Sequence, residues 1–150
     1  MYSELLDQAQ NDGIKRLNVA VALYNEDRKV LVCQRSSEKQ YLPDIWHLPG
    51  GKVEDRESIT EAIHREIIEE LGVKIILKGY TGKRHDYTGH GGISARTEFF
   101  FGVIQENQEI SLNSENQKTR WISSTEVKEL FEPHVKELNE EIISQVESLS

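Results

Sequence analysis

The chain is poor in cysteine, proline and positive charge, and each shortage excludes a class of protein. Cys33 is the single cysteine among 150 residues, so neither an intramolecular disulfide nor a cysteine metal cluster can form. Three prolines and ten glycines exclude collagen-like and low-complexity chains. Lysine and arginine total 18 against 26 acidic residues, a formal net charge of −8. Binding to long DNA or RNA depends on many Lys and Arg contacts to phosphate, so we expect no such partner; a small phosphorylated ligand remains compatible with this charge.

Long apolar runs are also missing. No stretch reaches the length that crosses a membrane, and the N-terminal "MYSELLDQAQNDGIKR" lacks the apolar run of a signal peptide. We therefore expect a cytoplasmic protein with no membrane partner. A chain of this length is expected to form a single domain, residues 1–150, with its own hydrophobic core. Cys33 lies in the β-rich run "KVLVCQR" and is expected to be buried and inert. The sequence gives no sign of the oligomeric state.

Short β-rich runs occupy both halves of the chain. Residues 17–23 ("LNVAVAL") and 29–34 ("KVLVCQ") flank turn-forming residues 25–27, which predicts a β-hairpin. Further strands are predicted at residues 73–77, in the apolar run "TEFFFGVIQ" and in "KTRWIS". The polar stretch "GKRHDYTGHGGISAR" is predicted to be a glycine-rich loop, either able to close over a substrate or simply mobile.

Helical signals follow these strands. A helix is predicted over residues 58–71, with Gly72 placed to end it. Ser123 or Ser124 is suited to cap a short helix, and Pro133 suits the first turn of a last one. Strands on both sides of a central helix, with one more helix at the end, predict an α/β sandwich with a mixed sheet between helices.

The central helix carries acids where its apolar stripe is expected to continue. Steps of three and four residues from the apolar positions at its start lead to Glu66 and Glu70, with Glu69 on the flank of the same face. Acids in the last turn oppose the helix dipole, and Glu66 and Glu70 repel each other. Arg65 is the adjacent cation, and we expect its side chain to point away from this row. Most acid-rich helix faces are simply solvated. Divalent cations are the alternative, because Mg²⁺ prefers carboxylate oxygens together with substrate phosphates.

The segment "GKVEDRESITEAIHREIIEELGV", residues 51–73, resembles the Nudix box. The box has Gly51, five residues, Glu57, seven residues and then "REIIEELGV", with every fixed position in register. "WHLPGG" before it and "TRWISSTEV" after it also resemble members of this family. The resemblance implies a Nudix α/β/α sandwich with a mixed β-sheet between helices. It also implies Mg²⁺-dependent hydrolysis of a nucleoside diphosphate linked to another group, with Mn²⁺ as a possible substitute.

The resemblance also assigns roles to individual residues. Metal ligands would be Glu66, Glu69, Glu70 and the carbonyl group of Gly50. For the acid that the family places outside the box, Glu115 is the first candidate and Glu98 the second.

Glu66 is the first choice for the general base or the group that orients it, with Glu69 or the acid outside the box as alternatives. Arg65 and Glu57 would orient the helix by pairing with each other and with nearby carboxylates, and Gly51 and Gly72 would support the box structurally.

Substrate recognition is assigned to residues expected near the cleft. These are Arg35, Tyr41, Trp46 and Tyr87, with His85, Asp86 and His90 in the same loop as Tyr87. Packing is the alternative role for the aromatic residues.

The expected substrate is a (d)NTP, cleaved to (d)NMP and diphosphate. ADP-ribose hydrolases of this family tend to carry a proline after the box, and this chain has none between Pro49 and Pro133. Dinucleoside polyphosphate hydrolases tend to carry a tyrosine, and Tyr87 is close to that position without matching it. RNA 5′-end pyrophosphohydrolysis is a further alternative. A non-catalytic, nucleotide-sensing domain is the alternative from another class.

Overall fold

The computed structural model describes residues 1–149, and in this range the strands form two sheets with helices on both faces. In chain order the elements are α1 (Ser3–Asn11), β1 (Arg16–Leu23), β2 (Val30–Arg35), β3 (Trp46–His47), β4 (Gly50–Lys52), α2 (Ile59–Leu71), β5 (Ile75–Thr88), β6 (Ser94–Ile104), β7 (Asn116–Ile122), α3 (Val127–Leu130) and α4 (Pro133–Glu147). Single 3₁₀ turns lie at His90–Gly92 and Ser124–Glu126. Over the same residues, none of the helices combines the length and apolar character needed to cross a bilayer.

The larger sheet is mixed, as the sequence predicts, and has the strand order β4-β1-β6-β5. Strand β1 is antiparallel to β4 and parallel to β6, and β5 is antiparallel to β6. A second, antiparallel sheet has the order β3-β2-β7. The sequence predicted one sheet, whereas the structure divides the strands between two.

Strand β1 separates two hydrophobic cores because its side chains alternate between the faces of the sheet. Val19 and Val21 pack into a cluster that includes the apolar side of α2 and Leu5 of α1. Ala20 and Ala22 pack on the other face, in a cluster to which α4 contributes apolar side chains. The central helix and the last helix therefore cover opposite faces, which is the expected α/β/α sandwich.

Helix α2 begins and ends close to the predicted residues. Ser58 caps it: its hydroxyl accepts from the backbone N–H of Glu61, and the Glu61 side chain accepts from the Ser58 N–H. Gly72 ends the helix in the left-handed conformation, with φ 67°. Strong signals at both ends explain why this helix was predicted accurately.

Of the predicted hairpin between β1 and β2, the structure has the turn but not the pairing of the two strands. Asn25 closes the turn by accepting hydrogen bonds from the backbone N–H groups of Asp27 and Lys29, and an isolated bridge joins Tyr24 to Val30. Beyond that bridge the strands diverge into the two sheets. Both strands are buried, so alternation of apolar residues does not reveal which neighbour each strand pairs with.

The prediction of a loop over residues 82–96 was wrong for most of that range. Strand β5 continues to Thr88 and pairs with β6 from Arg84–Glu98 to Thr88–Ser94, leaving a short connection at residues 89–93. This part of β5 carries polar side chains on both faces, so the sequence shows no alternation of apolar residues that would indicate a strand. Helix α1 was also not predicted; it buries Leu5 and Ala9, a weak apolar signal.

Candidate active site

Strand β4 brings its two glycines against β1 and α2. Gly51 pairs with Val19, and a Cβ atom added to Gly51 would overlap the carboxylate of Glu66. The absence of a side chain at Gly51 therefore lets an acid of α2 lie directly against the backbone of β4. The two glycines of β4 and the acidic part of the helix are thus in direct contact.

Glu70 lies beneath β4 and is 2% exposed. Its Oε1 accepts a hydrogen bond from the backbone N–H of Gly50 (3.0 Å), and its Oε2 accepts one from Nδ2 of Asn116 (2.9 Å). The pKa of Glu70 is raised to about 8, because burial and, to a smaller extent, the negative charges of Glu66 and Glu115 outweigh the opposing effect of these two hydrogen bonds. A buried acid with two acidic neighbours destabilises the site unless positive charge offsets it.

Arg65 lies among the carboxylates, contrary to the expectation that it points away from them. Its Nε and Nη2 donate to the two oxygens of Glu57 at 2.6 and 2.9 Å, and Nη2 also donates to the carbonyl oxygen of Lys52. Its Nη1 donates to Glu66 Oε1 (2.8 Å) and Glu69 Oε2 (3.3 Å). The position of a long, flexible side chain depends on where its partners lie in space. Here the hydrogen bonds to Glu57 fix the position of the Arg65 guanidinium. The expected pairing of Arg65 with Glu57 is present.

Glu66 and Glu69 differ in exposure but share this arrangement with Arg65. The side chain of Glu66 is 12% exposed and that of Glu69 is 55% exposed. Burial raises the pKa of Glu66, Arg65 opposes this, and the charges of Glu69 and Glu115 raise the pKa further. Among residues 1–149, Oε2 of Glu66 and Oε1 of Glu69 accept no hydrogen bond. Each acid therefore keeps one oxygen available while Arg65 holds the other.

The two candidates for an acid outside the box occupy different surroundings. Glu115 is exposed just before β7, close enough for its charge to raise the pKa values of Glu66 and Glu70. Glu98 is fully buried, accepts from the hydroxyl of Tyr80 (2.6 Å) and pairs with Arg84, with Oε2 at 3.0 Å from Nη2. The partners of Glu98 belong to β5, so Glu115 is the candidate that lies beside the acids of α2.

These residues fit a divalent cation by their chemistry. The available ligands are carboxylate oxygens, which Mg²⁺ prefers, and their mutual repulsion is the electrostatic condition that a cation relieves. Within the described part of the chain, no three acidic, histidine or cysteine side chains already converge at the spacing of an ion site. The residues that would hold the cation are Glu66, Glu69, Glu70, Glu115 and the Gly50 carbonyl, with Arg65 sharing Glu66 and Glu69.

The residues expected to recognise substrate fall into separate groups. Arg35 donates from Nε to the carbonyl oxygen of Tyr41 (2.7 Å), and the exposed Tyr41 ring lies 4.9 Å from the ring of His90. This contact joins the loop after β2 to the short turn between β5 and β6. Trp46 is half-buried on β3, with the ammonium group of Lys118 at 5.8 Å from its ring.

Tyr87 belongs to the second group, at the far end of β5. Its ring stacks on His85 with 5.4 Å between centroids, and its hydroxyl accepts a hydrogen bond from Nδ2 of Asn18 (2.9 Å). Asn18 pairs with Lys52 of β4, so Tyr87 is linked to β1 beside the strand that carries Gly50 and Gly51. Asp86 points to the other face and holds Arg96 through two hydrogen bonds. Asn18 is a lone asparagine in an apolar strand, so the sequence gives no signal of this contact.

A family model described as NUDIX domain matches residues 14–145. Two curated relatives are named Nucleoside triphosphatase NudI. The protein from Escherichia fergusonii is 29% identical over 121 residues, which cover 73% of this chain and 83% of the relative. The protein from Salmonella newport is 30% identical over 122 residues, covering 76% of this chain and 86% of the relative.

The fold has a close counterpart among solved structures. The crystal structure of a MutT protein from Methanosarcina mazei Go1 superimposes with a TM-score of 0.75. The match covers 89% of this chain and 96% of the other, with 21% sequence identity. At that identity the likeness concerns the fold.

Proposed function

Because the chain belongs to the Nudix hydrolase family, we propose that it hydrolyses a phosphoanhydride bond of a nucleoside triphosphate. The proposed products are a nucleoside monophosphate and diphosphate, from ribo- or deoxyribonucleotides. The proposed metal is Mg²⁺, with Mn²⁺ as a substitute, in keeping with the use of divalent metals by Nudix hydrolases. The biological role would be the removal of damaged or excess nucleotides.

The gathering of acids at Gly50 and Gly51 of β4 is the observation that carries this proposal. Glu70 is buried beneath β4 and Glu66 lies directly over Gly51. Burial and neighbouring acids raise the pKa values of both Glu66 and Glu70, so the ionised site is unfavourable without a cation. A divalent cation held by these carboxylates would offset that unfavourable term.

The residues of the site have distinct proposed roles. Glu66 takes the proton of the attacking water or orients the group that does so, because it keeps Oε2 available while Arg65 holds Oε1. Glu57 and Lys52 in turn fix the guanidinium of Arg65, which orients Glu66 and Glu69. A bound divalent cation would lower the pKa of a water molecule and neutralise charge on the phosphate oxygens.

The choice of a nucleoside triphosphate rests on the curated relatives. Both are named nucleoside triphosphatases, and the chain covers more than four fifths of each. Recognition of the nucleotide is proposed for Arg35, Tyr41, Trp46 and Tyr87, whose aromatic rings and guanidinium suit stacking and phosphate contacts. The exposed Tyr41 and Tyr87 rings are the better placed of these for stacking.

A substrate panel with analysis of the products tests the proposal. Purified protein is incubated with Mg²⁺ and NTPs, dNTPs, ADP-ribose, dinucleoside polyphosphates or 5′-triphosphorylated RNA, and the products are separated by chromatography. We expect the highest kcat/KM for one or more NTPs or dNTPs, with diphosphate released. A preference for another member of the panel would show that the proposed substrate is wrong. Release of single phosphates would show that the proposed bond of cleavage is wrong. Nucleotide binding without any turnover would favour the non-catalytic alternative.

A further inference from the structure

Asn116, at the start of β7, bridges a histidine and the buried acid of the site. Its Nδ2 donates to Glu70 Oε2 (2.9 Å), and its Oδ1 lies 2.8 Å from Nε2 of His47. Nδ1 of His47 lies 2.9 Å from the carbonyl oxygen of Leu48. The other carboxylate oxygen of Glu70 accepts from the Gly50 N–H. A continuous chain of hydrogen bonds therefore connects His47 to Glu70 and ends at Gly50 of β4.

The hydrogen bond to Glu70 sets the direction of the next bond in this chain. Asn116 donates its NH₂ group to Glu70, so its carbonyl oxygen faces His47. An amide oxygen only accepts, so Nε2 of His47 is the donor to Asn116, while Nδ1 faces the carbonyl oxygen of Leu48.

Burial makes this chain necessary for the orientation of Glu70. Glu70 and Asn116 are 2% and 4% exposed, so water cannot replace a lost partner without rearrangement. Within residues 1–149, two hydrogen bonds hold the Glu70 carboxylate, and one of them comes from Asn116. If His47 is removed, Oδ1 of Asn116 loses its donor, and the amide is no longer held with its NH₂ group toward Glu70.

We propose that His47 acts through Asn116 to hold Glu70 in the orientation that serves a divalent cation. His47 and Asn116 are thus positioning residues for metal binding, distinct from the acids that would contact the ion. The inference rests on the proposed function, because the orientation of Glu70 matters for metal affinity only if Glu70 contributes to a metal site. Groups that hydrogen-bond to metal-binding carboxylates typically affect metal affinity by about 10- to 100-fold.

Calorimetric titration of the full chain with Mn²⁺, without nucleotide, tests this proposal. We expect His47→Ala and Asn116→Ala each to weaken Mn²⁺ binding by about 10-fold. The double variant should bind no more weakly than Asn116→Ala alone, because His47 acts through Asn116. His47→Gln, which retains a side-chain N–H donor, should recover most of the affinity. Asn139→Ala is the matched control: Asn139 is equally buried, but its Nδ2 donates to the Val135 carbonyl in α4.

The outcomes separate this proposal from the proposed function. Failure of the wild-type chain to bind Mn²⁺ would contradict the proposed function itself. If the wild type binds Mn²⁺, equal affinity in His47→Ala would overturn only the positioning role. So would losses that multiply in the double variant, or a loss in Asn139→Ala as large as in Asn116→Ala. If His47→Ala does not fold, His47→Phe keeps an aromatic ring without either donor, and wild-type affinity in it would also overturn the proposal.

Discussion

The carboxylate of Glu66 lies so close to Gly51 that no side chain fits between them. This contact joins β4 to the acidic part of α2. The position of Glu66 therefore depends on a residue fifteen positions earlier in the chain.

Gly51→Ala is expected to displace the Glu66 carboxylate, because the new methyl group would overlap it. We expect kcat to fall by about 100-fold, since a displacement of about 1 Å in a reacting group has this effect. Gly89→Ala is the control, because the nearest atom to its added Cβ lies at 3.5 Å. Steady-state kinetics of both variants measure the effect, and similar kcat values in the two would contradict the assigned contact.

Glu66→Gln should lower turnover by about 10²- to 10⁴-fold while leaving the fold intact. The amide retains the shape of the side chain but cannot take a proton. Circular dichroism checks the fold, and kcat is measured at saturating Mg²⁺. Turnover at the wild-type rate would remove Glu66 from the mechanism.

Arg65→Lys tests the network around α2. A lysine cannot reproduce the two parallel bonds to Glu57 while also reaching Glu66. We expect a loss of about 1–3 kcal/mol in the free energy of unfolding, the scale of hydrogen bonds to charged groups. Arg120→Lys, in an exposed pair with Glu126, is the control and should change stability by less than about 0.5 kcal/mol. Equal losses in urea unfolding would argue against a special role for Arg65.

Because the thiol of Cys33 is buried, we expect the free energy of unfolding to depend on pH in a specific way. Burial, and secondarily the charge of Glu70, raise the pKa of this fully buried thiol well above its ordinary value of 9.0. The folded state therefore keeps the proton more tightly than the unfolded state. Its stabilising contribution is complete below the ordinary thiol pKa and is lost as the pH rises above it.

The comparison of wild type with Cys33→Ala measures this effect. Above about pH 9, the free energy of unfolding of the wild type should fall relative to the variant by up to about 1.4 kcal/mol per pH unit. A difference between the two proteins that stays constant from pH 7 to 10 would contradict the assignment. The native thiol should also resist modification by Ellman's reagent until the chain unfolds.

Features encoded within one helix or one short segment were predictable from the sequence. The bounds of α2 follow from Ser58 and Gly72, and the Arg65–Glu57 pairing follows from the box. The direction of the Arg65 side chain toward Glu66 and Glu69 was mispredicted, because it depends on where the loop carrying Glu57 lies.

Contacts between segments that lie far apart in the chain could not be predicted from the sequence. Asn116 meets Glu70 across 46 positions and His47 across 69. Neither Asn116 nor His47 lies in a local sequence pattern that identifies its partner. The division of the strands into two sheets was missed for the same reason. Strands β1 and β2 are both buried and have similar apolar sequences, so neither sequence indicates which sheet the strand joins.

Thermal unfolding in increasing Mg²⁺ tests the central claim most directly, which is that the acids around Gly50 and Gly51 bind a divalent cation. A ligand specific to the folded state stabilises it by about 2.7 kcal/mol at 100 times its Kd. We predict a rising melting temperature for the wild type through the millimolar range, and a much smaller rise for the Glu66→Gln, Glu69→Gln double variant. A wild-type melting temperature that does not respond to Mg²⁺ or Mn²⁺ would contradict the account.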